Sequence, residues 1–412
     1  MKISIDEARW LVVRGQLLAS KQGNTIHSVV SALGGIQYDP NPILHLNHYL
    51  ALWSRIPGFS VEHFDKYAYE KGDFVETSLY KRNLFIVPVS ELDVYDEATR
   101  SIVRWGASRE QEEAELLNNE MAECARQIKQ AFREGGSCTV EELWERMGLA
   151  DKWKEYRNGR KQGLLISFLP MFQVFFKLKY LNEVLVCNRL PGTFRQPVYN
   201  IREMLLHDTD KLRPSNGMEA VKWVIHKLIH SFGVTNESHI KSITGYEKGI
   251  VSSVFRLLQD DGRIAKITID GIKKDMFAAV EHLKCIPKPE DSMESPVNLL
   301  SPMEGMIRDK SWLKTIFGYS FSFEYFKKKG MKWPLSILYG NEMFGFLDCK
   351  IDRKHRIFYV KELHITEGKN IPIKKINEAV HSLARFHNAK TLNILGNNED
   401  RFQNTTTTKS LC

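Results

Sequence analysis

No CxxC pair occurs among the six cysteines, which stand apart at Cys124, Cys138, Cys187, Cys285, Cys349 and Cys412. That spacing excludes the common zinc-ribbon and thiol-redox patterns, and scattered thiols fit a reducing cytoplasm. The sequence also lacks any run of about 18 apolar residues, so no transmembrane helix is expected. Its longest apolar stretch, Leu164 to Phe176, is shorter and carries Pro170. The opening Met1-Lys2-Ile3-Ser4-Ile5-Asp6-Glu7 lacks the apolar core of a secretory leader. Absent too are a P-loop, a GxGxxG turn after a strand, a GxSxG elbow and HExxH. These absences speak against nucleotide-dependent, serine-hydrolase and zincin chemistry. His45 and His48, three apart, and His226 and His230, four apart, have no partner at ligand spacing and read as ordinary helix residues. Neither an RRM aromatic motif nor a KH-type GxxG is present, so an RNA-binding module has no support.

What is there is charge and helical period. The 412 residues are 43% hydrophobic and 26% charged, with a net charge of +8. Such a length buries most of its apolar surface without metal or disulfide. A basic balance suits a polyanion partner, and equally serves plain solubility.

Read along the chain, Ser4 and Glu7 form a capping box before the periodic Ala8, Leu11, Val12 and Leu18. A second helix is expected over Ile26–Leu33, ending at Gly34-Gly35. A short extended segment, Ile36-Gln37-Tyr38-Asp39, then runs into Pro40-Asn41-Pro42. A third helix is expected over Ile43–Ser54, a strand over Leu84–Val89, and one long charged helix over 107–135. Two later segments share a layout. Thr139 caps a helix, a basic helix follows, Tyr180–Val186 reads as a strand and Arg189–Tyr199 as a hairpin turning at Pro191-Gly192. Thr235-Asn236-Glu237 then caps a helix, Gly249–Asp260 makes another, and Gly262–Ile267 reads as a strand. Helix, helix, strand, hairpin is the order of a winged helix-turn-helix. From Pro296 short strands dominate, at Leu335–Tyr339, Met343–Ile351 and Ile357–Ile365, closed by a helix over Ile373–His387. The tail from Asn397 to Cys412 reads as disordered.

Two constellations could carry chemistry. Gln37 and Asp39, two apart in an extended segment, project to one face. An amide beside a carboxylate suits the handling of one water: the carboxylate takes a proton or faces a developing cation, and the amide orients the water. Asp before Pro is equally at home as a turn residue or N-cap. Lys152, Lys154, Arg157, Arg160 and Lys161 are interleaved with Trp153 and Tyr156, a composition able to lie along phosphates while its aromatics pack, or simply to face solvent. Arg189 and Arg195 bracket the expected hairpin tip. Lys327, Lys328, Lys329 and Lys332 read as an exposed loop.

These features resemble the AlkZ/YcaQ-type DNA glycosylases, a winged-helix family that removes alkylated purines and unhooks DNA crosslinks. Carrying the resemblance are Ile5-Asp6-Glu7-Ala8-Arg9, then Gly35-Ile36-Gln37-Tyr38-Asp39-Pro40 leading into Leu50-Ala51-Leu52-Trp53-Ser54-Arg55. Further on, Leu300-Ser301-Pro302-Met303-Glu304, Phe317-Gly318-Tyr319 and Gly345–Arg353 look like the family's C-terminal β-domain. The chain departs from the family by Met303-Glu304, where Phe-Asp is usual, and by having no histidine in Tyr80–Pro88.

The resemblance implies an α+β fold of tandem winged-helix modules followed by a β-domain, with boundaries at 1–106, 107–212, 213–290 and 291–396 and the tail at 397–412. It implies Asp39 as catalytic carboxylate with Gln37 as its partner. DNA contacts are expected from Lys152, Lys154, Arg157, Arg160, Lys161, Arg189, Arg195 and Arg55. The implied activity is monofunctional hydrolysis of the N-glycosidic bond of N7-alkylated purines, with crosslink unhooking, on double-stranded DNA. No cofactor, metal or membrane enters this reading, and the chain is expected to be a cytoplasmic, nucleoid-associated monomer. The alternative is a non-catalytic winged-helix DNA-binding regulator. Regulators of that kind dimerise on palindromic sites, and no dimerisation helix is marked here.

Overall fold

The computed structural model describes residues 1–39, 44–100, 109–116, 118–161, 170–190, 196–205, 214, 216–286, 295–320, 333–369, 372–395 and 408–410. The fold is α+β, with helices and strands of both short and long range. It divides into two compact units. The first comprises Met1–Val61, Ile225–Ile243 and Glu247–Cys412, and the second Glu62–Val224 with Thr244–Tyr246.

In the first unit the opening helix is Ile5–Gly15, and Ser4 and Glu7 close a reciprocal capping box as expected. A second capping box, Thr25 with Ser28, starts the helix Ile26–Ala32. The chain then leaves the helix through Gly34 and Gly35, at φ 70° and 93°, and enters the strand Ile36–Gln37. The helix that follows is Asn47–Trp53, later than expected, and Ile43 lies outside the described residues. One close backbone approach fixes the opening helix against the end of Gly217–Phe232. Gly233 sits at φ +65°, and a Cβ there would stand 2.2 Å from the Leu11 carbonyl oxygen. Only glycine meets both conditions.

Later in this unit the helices Glu237–Thr244 and Lys248–Asp260 lead into the antiparallel pair Ile264–Ile269 and Ile272–Ala279. The first of those strands also pairs, in parallel, with Lys2–Ile3. The C-terminal strands form a six-stranded sheet. Its central members, Leu335–Tyr339, Glu342–Asp352 and Ile357–Ile365, are a meander, edged by Val297–Leu300 on one side and Thr391–Ile394 on the other. The closing helix Ile373–Phe386 turns Ile376, Val380, Leu383 and Ala384 inward, which is its apolar stripe at helical spacing. Most of the expected disordered tail lies outside the described residues. Thr408–Ser410, however, form a strand antiparallel to Thr391–Asn393, which corrects the reading at that point.

In the second unit, strands lie side by side in the order Leu84–Pro88, Phe74–Ser78, Val184–Arg189, Pro197–Ile201. Helices 109–116 and 119–135 replace the single long helix expected over 107–135. Asn118 breaks it, because its side chain accepts from the Glu120 amide and caps the second piece. Tyr180 is the last residue of a helix from Pro170, not the start of a strand. Asn182 turns the chain at φ +57°, and the strand begins at Val184. The core of this unit is aromatic: Trp144 packs edge-on to Phe172 and Phe175, at 4.6 and 5.6 Å between centroids.

Candidate active site

The segment holding Gln37 and Asp39 alternates as its sequence predicts. Ile36 and Tyr38 are buried, at 4% exposure each, and the flanking Gln37 and Asp39 are half-buried. Alternation of burial places the amide and the carboxylate on the face opposite the core. Tyr38 is fixed by a stack on His48, with centroids 5.1 Å apart and ring planes 22° from parallel. The next residue on the other side, Asn47, donates from Nδ2 to the Gln37 carbonyl at 2.9 Å. The start of helix Asn47–Trp53 therefore holds both the ring and the backbone of this short strand. His45 and His48 are aromatic packing residues. His45 accepts from the Leu46 amide at 2.9 Å and stacks on Phe386 at 5.2 Å.

The Gln37 side chain has a partner that lies far away in sequence. Arg308, at the end of the short helix Gly305–Arg308, donates from Nη1 to Gln37 Oε1 at 2.6 Å. Burial pulls the Arg308 pKa down, and no carboxylate among the described residues offsets it. A guanidinium has donors only, so the amide facing it must present its oxygen. Nε2 is thereby turned away from Arg308, with two N–H donors left to act on something else.

The preceding turn holds the opposite arrangement. Glu304 meets Arg55 in a fork: Nη1 to Oε1 at 2.9 Å and Nη2 to Oε2 at 3.1 Å. The remaining Arg55 donors reach the Gln16 carbonyl at 2.8 Å, the Ala51 carbonyl at 2.9 Å and Ser54 Oγ at 3.0 Å. With all three guanidinium nitrogens engaged and the side chain 0% exposed, Arg55 is a structural residue and not a surface phosphate contact. That expectation is corrected.

Arg189 is corrected on the same ground. Its Nε and Nη2 each lie 2.6 Å from the Glu76 carboxylate, and its side chain is 6% exposed. The expected basic helix is Ala150–Lys161. Trp153 and Tyr156 are buried in the core, and Lys152, Lys154 and Arg157 are exposed, so the division between packing aromatics and outward bases holds. Arg157 also reaches Glu141 at 2.6 Å, and Lys154 reaches Asp151 at 3.5 Å. Arg160 and Lys161 lie on the helix backbone, but their side chains fall outside the described residues, as do Arg195 and the lysines at 327–329 and 332.

Arg308 is the residue that sequence reasoning missed. It lies 271 positions from Gln37. A basic residue after an apolar pair, Met306-Ile307, carries no local mark of such a contact.

A family model described as "DNA glycosylase AlkZ-like" matches residues 30–386. Among solved structures the chain is similar to Streptomyces sahachiroi DNA glycosylase AlkZ, with a TM-score of 0.62 and 14% identity over 96% of this chain and 100% of that one. A comparison with curated proteins finds no match. At 14% identity the structural likeness speaks for the fold alone. The family match spans the Gln37–Asp39 segment, Arg55, Glu304 and Arg308, and on its extent the chain belongs to the AlkZ-like DNA glycosylase family.

Proposed function

We propose that this protein hydrolyses the N-glycosidic bond of N7-alkylated purines in duplex DNA, with Asp39 and Gln37 as the catalytic pair. The observation that carries the reading is the orientation of the Gln37 amide by Arg308. With Oε1 engaged, Nε2–H donates to a lone pair of the attacking water, and the water's own O–H points to Asp39. The departing base leaves an oxocarbenium-like sugar, whose charge an ionised Asp39 stabilises as it accepts the water's proton. One side chain thus orients the nucleophile and the other activates it.

The same pair favours cationic leaving groups. Expelling a neutral base calls for a general acid. A carboxylate that must be ionised and an amide supply none. A purine alkylated at N7 already carries the positive charge, and leaves without a proton. A site with no need to grip the base also tolerates bulky or crosslinked adducts, so interstrand crosslinks are included as substrates. Phosphate contacts come from the exposed Lys152, Lys154 and Arg157, and in this reading tandem winged-helix modules present them to the duplex. The reaction needs no cofactor, and the protein works as a monomer in the cytoplasm.

The test is a single-turnover assay on duplexes that carry one N7-methylguanine, one uracil or one hypoxanthine, developed with alkali. N7-methylguanine is expected to be released, uracil and hypoxanthine not. Asp39→Asn is expected to abolish release while DNA affinity stays within a few-fold, because phosphate contacts dominate binding. Normal excision by Asp39→Asn would remove the carboxylate from the mechanism. No excision by the wild-type chain, with intact duplex binding, would favour the DNA-binding regulator.

A further inference from the structure

The helix Gly217–Phe232 places His226 and His230 one turn apart, on one face. Their rings meet edge to face, with centroids 4.9 Å apart. The chain returns to this face much later. In the short helix Val280–Leu283, Glu281 Oε2 comes to 2.5 Å from His230 Nε2, and His282 Nε2 to 3.2 Å from His230 Nδ1. One donor atom from each of His226, His230 and Glu281 lies within 4.8 Å of the other two.

We propose that His226, His230 and Glu281 form a binding site for one zinc-class divalent ion. Two imidazoles and a carboxylate are a borderline donor set suited to Zn²⁺ and Co²⁺, with a fourth position left for water. Donors around a tetrahedral ion with bonds of about 2.0–2.1 Å stand roughly 3.4 Å apart. The observed spread closes to that by rotamer adjustment, chiefly of Glu281, whose side chain is 64% exposed.

Two further observations point to an ion. His226 Nε2 is buried and has no hydrogen-bond partner among the described residues. A buried ring nitrogen without a partner is costly, and a metal bond satisfies it. Second, His282 sits where the outer partner of a metal-bound histidine sits. A ligating imidazole donates its other N–H to a neighbour. His282 Nε2 lies 3.2 Å from His230 Nδ1, within reach of that N–H, and Glu281 Oε2 lies at the opposite ring nitrogen, Nε2, where the ion would bind. In sequence the pair at 226 and 230 lacks a third ligand; the fold supplies it 51 residues beyond His230.

The full chain, stripped with EDTA and desalted, is titrated with ZnCl₂ by calorimetry and with CoCl₂ by visible absorption. The expected result is one ion per chain, with the d–d bands of a low-coordinate cobalt site. Glu281→Gln and His226→Gln are each expected to weaken binding about tenfold or more, and Cys285→Ser to leave it unchanged. Zn²⁺ should raise the melting temperature of the wild type and not of Glu281→Gln, since a ligand stabilises only the state that binds it. Glu281 is exposed, so its substitution tests the site with little effect on folding. No saturable uptake, or uptake that survives both substitutions, overturns the proposal.

Discussion

Two arginines meet the short stretch Glu304–Arg308, and they are treated in opposite ways. Arg55 is fully buried, and each of its three nitrogens is answered: a carboxylate fork, two carbonyls and a hydroxyl. Arg308 is largely buried and answered by one amide oxygen. The first arrangement is that of a fold-holding ion pair, in which geometry and extra hydrogen bonds offset desolvation. The second leaves net positive charge beside Gln37, which a protein built only for stability would neutralise. Uncompensated charge next to an oriented amide is what the proposed mechanism uses. The difference sets a stability role and a proposed catalytic role side by side within five residues of chain.

The comparison breaks first at Arg55. Glu304→Gln leaves its charge buried with no counter-charge, and is expected to cost about 3–5 kcal/mol of folding stability. Urea or thermal melts check this; a loss under about 1 kcal/mol would make the two arginines alike. Arg308→Met is the mirror experiment. It removes a buried charge that has no carboxylate, so stability should change by about 1 kcal/mol or less in either direction. Its effect belongs in the rate. Single-turnover excision of N7-methylguanine is expected to fall about 10- to 100-fold with DNA affinity intact, because a freed amide no longer orients the water. If Gln37→Ala is made in the same background, the two losses should not add. Additive losses would mean that Arg308 acts on something other than Gln37.

A third buried base sharpens the contrast by the smallest effect. His239 stacks on Trp312 with centroids 4.4 Å apart, and burial pushes its pKa down to about 3, against a smaller opposing pull from Asp309. A histidine can shed the proton that an arginine keeps. The unfolded ring takes up a proton near pH 6.5 and the folded ring does not. Stability is therefore level above that pH and falls as pH drops below it. A loss of about 1 kcal/mol between pH 6.5 and pH 5.5 is expected from this group. The loss over that interval should shrink by about 1 kcal/mol in His239→Asn, with the rest kept by His226, His282 and His387, whose pKa values burial also lowers; denaturant melts at both pH values check this. A wild-type melt independent of pH over that range would contradict it.

Much of the fold was legible because its signals are local. Ser4 with Glu7 and Thr139 with Glu142 close capping boxes where the sequence placed them. Tyr38 points inward between Gln37 and Asp39 because strand alternation requires it. What escaped is whatever depends on distant chain. Arg55 reads as an exposed base at the end of a helix, and only Glu304, 249 residues on, makes it a core residue. Arg189 likewise reads as a hairpin base until Glu76, on a neighbouring strand, claims it. Arg308 carries no local signal at all. Tyr180 was misread because apolar period cannot separate the end of a buried helix from the start of a buried strand; the turn at Asn182 decides it.

The contact between Arg308 and Gln37 also says what a silent form of this protein would look like. Gln37→Glu keeps the side chain's size and shape and gives Arg308 the counter-charge that it lacks. The substituted chain gains a charge-assisted bond and loses the N–H donors that the water needs. On the proposed mechanism it would be steadier and inert, holding damaged duplex without releasing the base. Stability and turnover would then be in opposition at this one atom position, with the native amide on the side of turnover.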